Sequence, residues 1–341
     1  MNSASETGRF VAFGEIMLRL SAPNGELLLQ TPRLEVGVAG AEANVGVALA
    51  QLGHRVSMVS ALPDTAVGDA PLQALRSHGI DCDGILRSPG RMGLYFVETG
   101  AGARSTEVIY DRAHSAFVRV PPEKWDWDAN LAGAGRLHLS GITPALGERG
   151  TQAALRAAEA AGRAGVPVSF DGNYRAKLWE SWDSDPRAVL TQLIARADVL
   201  FGNHRDIALL LDRPFSGDGA VRRREAAEAA FAAFPNLKLV ACTARHVETS
   251  DVHRLSARVD RPDGWHETDE IVISGIVDRV GTGDAFAAGI LHALACGADD
   301  AEVARFGLAL ARYKHSIHGD QVLIRSRDLA ALLEEGKDVR R

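Results

Sequence analysis

The sequence is poor in cysteine, in basic excess and in long apolar runs. It has three cysteines, Cys82, Cys242 and Cys296, an odd number at wide spacing and without a CxxC pair. That excludes a zinc ribbon and a disulfide scaffold, and suits a reducing, cytoplasmic location. Lys plus Arg is 38 against 44 Asp plus Glu, a formal net charge of −6. Without a basic excess, neither nucleic acid nor an anionic membrane surface is an expected partner. The longest apolar stretch, 285–298, falls short of the roughly 20 residues a membrane span needs. Residues 1–8 are polar, lack the apolar centre of a secretory signal, and read as a flexible tail. Several phosphate and metal motifs are missing too. There is no GxxxxGK[ST], no GxGxxG opening a helix after the first strand, and no HExxH. P-loop enzymes, Rossmann dehydrogenases and zincins fall back accordingly.

What is present is a globular composition: 341 residues, 46% hydrophobic and 24% charged, enough to bury a large core. Strand-like and helix-like stretches alternate. Strands are expected at 9–14 (RFVAFG), 54–61, 136–141, 166–170, 199–202 and 238–243. Helices are expected at 41–52, 67–78, 148–164, 186–196, 205–211, 222–234, 282–296, 302–316 and 327–335. Strands spaced by helices of that length imply βαβ units and a mainly parallel sheet. Residues 17–38 and 93–112 break the rhythm, the second reading as two strands around a GAGA turn. They suit a small sheet added to a single α/β domain over 9–341, as a lid or dimer contact; an antiparallel edge of the main sheet is the plainer alternative.

The densest chemical signal is VDRVGTGDAFAAGI, 277–290. Gly281, Thr282 and Gly283 at a helix start offer bare N–H groups to an anion, and the helix dipole adds to this. An acid beside an anion site is repelled unless it takes a proton from an attacking hydroxyl, so Asp284 suits a general base. It equally suits a plain N-cap. A second cluster, Asp171-Gly172-Asn173-Tyr174-Arg175, follows a strand, where open α/β sheets bind ligands. Arg175 can grip a carboxylate there or sit in a surface ion pair. A third, GVAGAEAN at 37–44, combines small residues with Asn44 before a helix. The remaining features read blandly. Arg222-Arg223-Arg224 is a solvated helix start, Trp125 and Trp127 pack at the surface, Cys82 and Cys296 are small buried residues, and the histidines show no ligand spacing.

Taken together, Gly281-Thr282-Gly283-Asp284 and Gly40 to Asn44 resemble the ribokinase-like (PfkB) sugar kinases. The likeness runs in order from Gly14-Glu15 through Asp171–Arg175 and Asn203 to the C-terminal signature. Within that family Asp278–Gly289, the Tyr110-Asp111-Arg112 triplet and 313–320 are similar to the 2-keto-3-deoxygluconate kinases. The resemblance implies a three-layer α/β/α fold with a small β-sheet lid, and ATP-dependent transfer to a sugar hydroxyl with Mg²⁺. It implies Asp284 as base and Gly281, Thr282 and Gly283 as anion hole. Gly40, Asn44, Tyr95, Tyr110, Arg112 and Arg175 would bind substrate, and Asn203, Thr243 and His315 would stand on the nucleotide side. Asp278 would sit at a monovalent cation such as K⁺. The exposed edge of the lid suits a homodimer or a higher homo-oligomer. Two arginines in a sugar pocket suit an acid sugar, since a buried charge needs a charged partner. The chain departs from the family at Ala39, at Asp206 in place of a glutamate, and at Ala244. Fructose, tagatose or 2-keto-3-deoxygalactonate kinases and a non-catalytic sugar-binding regulator are the alternatives.

Overall fold

The computed structural model describes residues 8–101, 104–216 and 219–333. Residues 1–7 of the tail read at 1–8, part of the GAGA turn, and the end of the 327–335 helix lie outside them.

Among the described residues fourteen strands fall in chain order: β1 Arg9–Phe13, β2 Met17–Ser21, β3 Glu35–Ala39, β4 Val56–Leu62, β5 Ile85–Arg87, β6 Gly93–Glu98 and β7 Glu107–Asp111. There follow β8 Ala134–Ser140, β9 Val168–Asp171, β10 Val199–Phe201, β11 Leu239–Val247, β12 Val252–Arg261, β13 Gly264–Glu267 and β14 Ile271–Ser274. Ten form one sheet in the order β13-β12-β11-β10-β9-β8-β1-β4-β5, with β14 also on β12. From β11 to β5 every pairing is parallel. β12 adds antiparallel pairs with β11, β13 and β14.

β1 shows why the sheet is covered on both sides. Phe10 and Ala12 join one core cluster, Val11 and Phe13 the other. A strand that buries both faces reads as a continuous apolar run, as RFVAF does. Helices Ala41–Gln51, Thr282–Ala295 and Asp300–Lys314 pack on one face, and Glu148–Ala164, Pro186–Ile194 and His204–Leu211 on the other. This is a three-layer α/β/α fold, as the resemblance implies.

The two irregular stretches form a separate four-stranded sheet, β3-β2-β6-β7, rather than an edge of the main one. Its inner residues Met17, Ala39, Tyr95 and Val97 make a small cluster of their own.

Some expectations are corrected. Trp125 and Trp127 are not surface residues: both are buried, with their rings 5.1 and 4.8 Å from Phe13. Cys296 is exposed. The arginine run is not a solvated start either. Within the Gly219–Ala233 helix, Arg224 binds Asp260 at 3.2 Å and the carbonyls of Arg261 and Gly264, while Arg223 pairs with Glu267.

Candidate active site

The parallel strands end on a common edge, and a cavity of about 680 Å³ opens there. Glu15 stands beyond the end of β1, Asp171 closes β9, and Asn203 lies just past β10. This is where doubly wound sheets offer backbone groups and loops to ligands. Met17, Tyr95 and Tyr110 of the small sheet form a further wall.

The Thr282–Ala295 helix points its N-terminus into this cavity. Its first N–H groups have no partner inside the helix and carry its positive dipole end. Gly281 is the N-cap with φ +82°, and a Cβ there would collide with the Asp320 carbonyl, so only glycine suits the position. Asp284 is not the cap. Its Oδ2 accepts from Asn44 Nδ2 at 2.7 Å. Burial pushes its pKa up to about 7, and Asp171 and Asp320 push the same way against the Asn44 bond. A carboxyl that titrates near neutrality is well matched to taking a proton.

Two neighbouring acids are raised alike. Glu42 and Asp171 are each pushed up to about 7, chiefly by burial. Glu42 Oε1 accepts from Ser140 Oγ at 2.6 Å. Its place in the otherwise small and apolar AEANVGVALA helix was a signal that could have been used: a lone acid on a buried face needs a partner.

The arginines divide. Arg112 is buried and tied to Glu15, its Nε 2.8 Å from Oε2 and its Nη2 on the same oxygen. It reaches the cavity already charge-balanced, unlike the free carboxylate ligand the sequence suggested. Among the described residues Arg175 hydrogen-bonds the Tyr174 carbonyl, at 3.2 Å, and acts through space on Asp171 and Asp284. Tyr95 is committed as well, its hydroxyl 2.5 Å from Asp320 Oδ2, while Tyr110 stays half exposed with its ring 5.7 Å from that of Tyr95. Gly40 (φ +149°) packs its Cα against the Glu15 carbonyl, so it serves backbone approach.

Sequence reading missed the link behind this wall. Arg19 of β2 binds Asp278 at 2.6 Å and Asp320 at 2.7 Å, all three buried. It fastens the small sheet to the loop that carries Gly281.

A second cavity, about 530 Å³, shares Asn203, Thr243, Arg245, Thr282 and Gly283 with the first. Arg205, Arg222 and Arg223 make it basic. Asn203 caps the His204–Leu211 helix in a capping box with Asp206, whose Oδ2 accepts from the Asn203 N–H at 2.8 Å. His315 lines the second cavity but is buried, with Nδ1 2.7 Å from the Ala311 carbonyl.

Comparison with known proteins agrees with this architecture. Residues 8–326 match the family described as pfkB family carbohydrate kinase. A 2-dehydro-3-deoxygalactonokinase of Haloferax volcanii is 33% identical over 331 residues, covering 97% of this chain and 98% of that protein. A 2-dehydro-3-deoxygluconokinase of Bacillus subtilis is 27% identical over 332 residues, 96% of each. The crystal structure of 2-dehydro-3-deoxygluconokinase from Thermotoga maritima superposes with a TM-score of 0.91 at 37% identity, covering 96% of this chain and 99% of that one. The chain belongs to the pfkB family of carbohydrate kinases, phosphotransferases whose acceptor is an alcohol group.

Proposed function

We propose that the chain phosphorylates a 2-keto-3-deoxy sugar acid with ATP, with 2-keto-3-deoxygluconate as first choice of substrate. The observation that carries the reading is the Asp284 carboxyl, held by Asn44 at 2.7 Å beside a bare helix N-terminus, where two cavities meet. The first cavity takes the sugar and the basic second one takes the nucleotide.

The sugar hydroxyl gives its proton to Asp284 as its oxygen forms a bond to the γ-phosphorus. The bond from that phosphorus to the ADP oxygen breaks, and ADP keeps the electron pair. Gly281, Thr282 and Gly283 offer N–H groups to the charge on the transferring group, as positioning and electrostatics dominate such reactions. Asn203, Thr243 and the arginines of the second cavity suit the polyphosphate. Mg²⁺ is ordinarily held by one or two carboxylates together with phosphate and water. Asp171 and Asp206 fit that demand: both line the first cavity, and each feels the charge of a partner there. When bound, Mg²⁺ would neutralise phosphate charge.

The acid preference rests on Arg175, which lines the first cavity and gives its hydrogen bond to the Tyr174 carbonyl rather than to a carboxylate. Gly40, Asn44, Tyr110 and Arg112 surround the remaining sugar atoms. The galacto epimer is the second reading, favoured by the Haloferax volcanii relative at 33% identity. An intact Asp284 argues against a non-catalytic regulator, and Arg175 against fructose or tagatose. The test is ATP turnover with Mg²⁺ on both keto acids, gluconate, fructose and ribose. Turnover confined to the keto acids is expected, and preferred turnover of fructose or ribose would overturn the acid assignment.

A further inference from the structure

Lys314 ends the Asp300–Lys314 helix, and its side chain is fully buried. Removing an ammonium from water is strongly unfavourable unless polar groups receive it. Here the receivers are backbone carbonyls. Nζ donates to Asp278 O at 3.2 Å and to Ile317 O at 3.1 Å. The neighbouring acids Asp278 and Asp320 are ion-paired to Arg19 instead.

These two carbonyls belong to the two segments behind the anion cradle. Asp278 leads into Gly281, and Ile317 leads to Asp320, whose carbonyl packs on Gly281. The segments are cross-tied elsewhere too. Val277 N donates to the His315 carbonyl at 2.8 Å, and Gly319 N to Asp278 Oδ2 at 3.2 Å. The ammonium sits at their crossing.

A monovalent metal ion at Asp278 does not fit this donor set. The Asp278 carbonyl already receives the ammonium. Its Oδ1 accepts from Val280 N at 2.9 Å, and its Oδ2 accepts from Gly319 N and the Arg19 guanidinium. We infer that Lys314 is a positioning residue whose fixed ammonium holds the Asp278 and Ile317 carbonyls behind the Gly281–Gly283 cradle, so that turnover needs no added monovalent cation. The inference rests on the kinase reading, though on no particular sugar.

The test uses the full chain with Mg²⁺, ATP and the keto acid in tetramethylammonium buffer at constant ionic strength. Wild-type kcat is expected to stay level as KCl or NH₄Cl replaces the tetramethylammonium salt. Lys314→Met is expected to lose about 10- to 100-fold in kcat, as supporting-shell losses do, with the sugar KM far less affected. K⁺ or NH₄⁺ then restores part of the loss, and tetramethylammonium does not. A purely structural role would show no such selective rescue. Melting gives a readout without turnover: KCl raises the Tm of Lys314→Met and leaves wild type unchanged. If wild type phosphorylates none of the sugars, the kinase reading fails while the melting comparison still decides the role of Lys314. A wild-type kcat that climbs severalfold with K⁺ overturns the inference, as does a folded Lys314→Met with full kcat or a loss that no cation restores. Should Lys314→Met not fold, Lys314→Gln and the wild-type cation titration decide.

Discussion

Asn44 Nδ2 lies 2.7 Å from Asp284 Oδ2 and joins the first turns of two helices whose residues are 240 positions apart. The bond is made to the carboxylate, so it favours the charged form and opposes the burial that raises the Asp284 pKa. Replacing Asp284 by Asn is expected to cut kcat by about 10²- to 10⁴-fold, the range for loss of a general base. Sugar binding, followed by calorimetry, is expected to persist. Wild-type turnover retained in Asp284→Asn would remove the base from the mechanism.

The pH profile follows from the same residue. With its pKa at about 7, Asp284 is mostly protonated at pH 6 and mostly ionised at pH 8. kcat/KM is therefore expected to rise across that interval. The limb belongs to a coupled set, because Glu42 and Asp171 also sit at about 7. Asn44→Ala removes the bond to the charged form, so the limb should move to higher pH. A limb that stays in place would separate Asn44 from the proton transfer.

The two arginines are expected to respond differently. Arg112→Ala strands the buried Glu15 carboxylate, and breaking such a pair costs about 3–5 kcal/mol. The readout is a lowered denaturation midpoint. Arg175→Ala leaves no such orphan and should keep its stability while the KM for the keto acid rises. Equal destabilisation by both substitutions would contradict this division.

A buried pair far from the cavity sets an acid limit on stability. His54 Nε2 and His292 Nδ1 are 2.8 Å apart, sharing one proton between the rings. Burial lowers both pKa values, that of His292 to about 4. A depressed histidine contributes stability that is full above its unfolded value near 6.5 and is lost as pH falls toward 4. For His292 the shift corresponds to about 3 kcal/mol. The three carboxyls raised to about 7 act with the opposite sign, losing stability as pH rises through 7. Urea midpoints of wild type and of His54→Phe/His292→Leu, compared between pH 7 and 4, isolate the histidine part. Relative to its own value at pH 7, the variant is expected to keep a higher midpoint at pH 4 than the wild type does, and an equal change in the two would refute the pair's role.

Gly281→Ala is expected to strain the cradle. Its φ of +82° and the Asp320 carbonyl leave no room for a methyl group. Strain of about 1–3 kcal/mol is typical of such a residue. kcat should drop while the sugar KM is kept. An unchanged kcat would mean that the loop relaxes freely.

The parallel sheet was legible because β1 and β10 bury both faces and so read as unbroken apolar runs. β12 and β13 were not legible. VHRLSARVDR carries charges that look solvated, yet Arg258 and Asp260 are buried as a pair at 2.7 Å. Trp125 and Trp127 were misread for a related reason. Asp126 between them looks like surface, but it is the cap of the short Trp127–Leu131 helix, accepting from Ala129 N at 3.0 Å. Asp284 stood out through its glycine-rich setting. Arg19, Lys314 and Asp320 did not, because a charge buried by a distant partner leaves no local pattern, whereas Glu42 left one as a lone acid in a small-residue helix.

The contact between Arg19 and Asp320 has a consequence for synthesis. It spans 301 positions, joining the second strand to the turn after the Asp300–Lys314 helix. Chains emerge from the ribosome at about 5–20 residues per second and fold N-terminal parts first. The small sheet can pair its own strands early, while its Arg19 guanidinium waits many seconds, desolvated only when Asp278 and Asp320 arrive. A nascent chain cut before residue 320 would thus hold most of the sheet and no finished cradle, and would be recognisable to quality control as an unanchored β-surface.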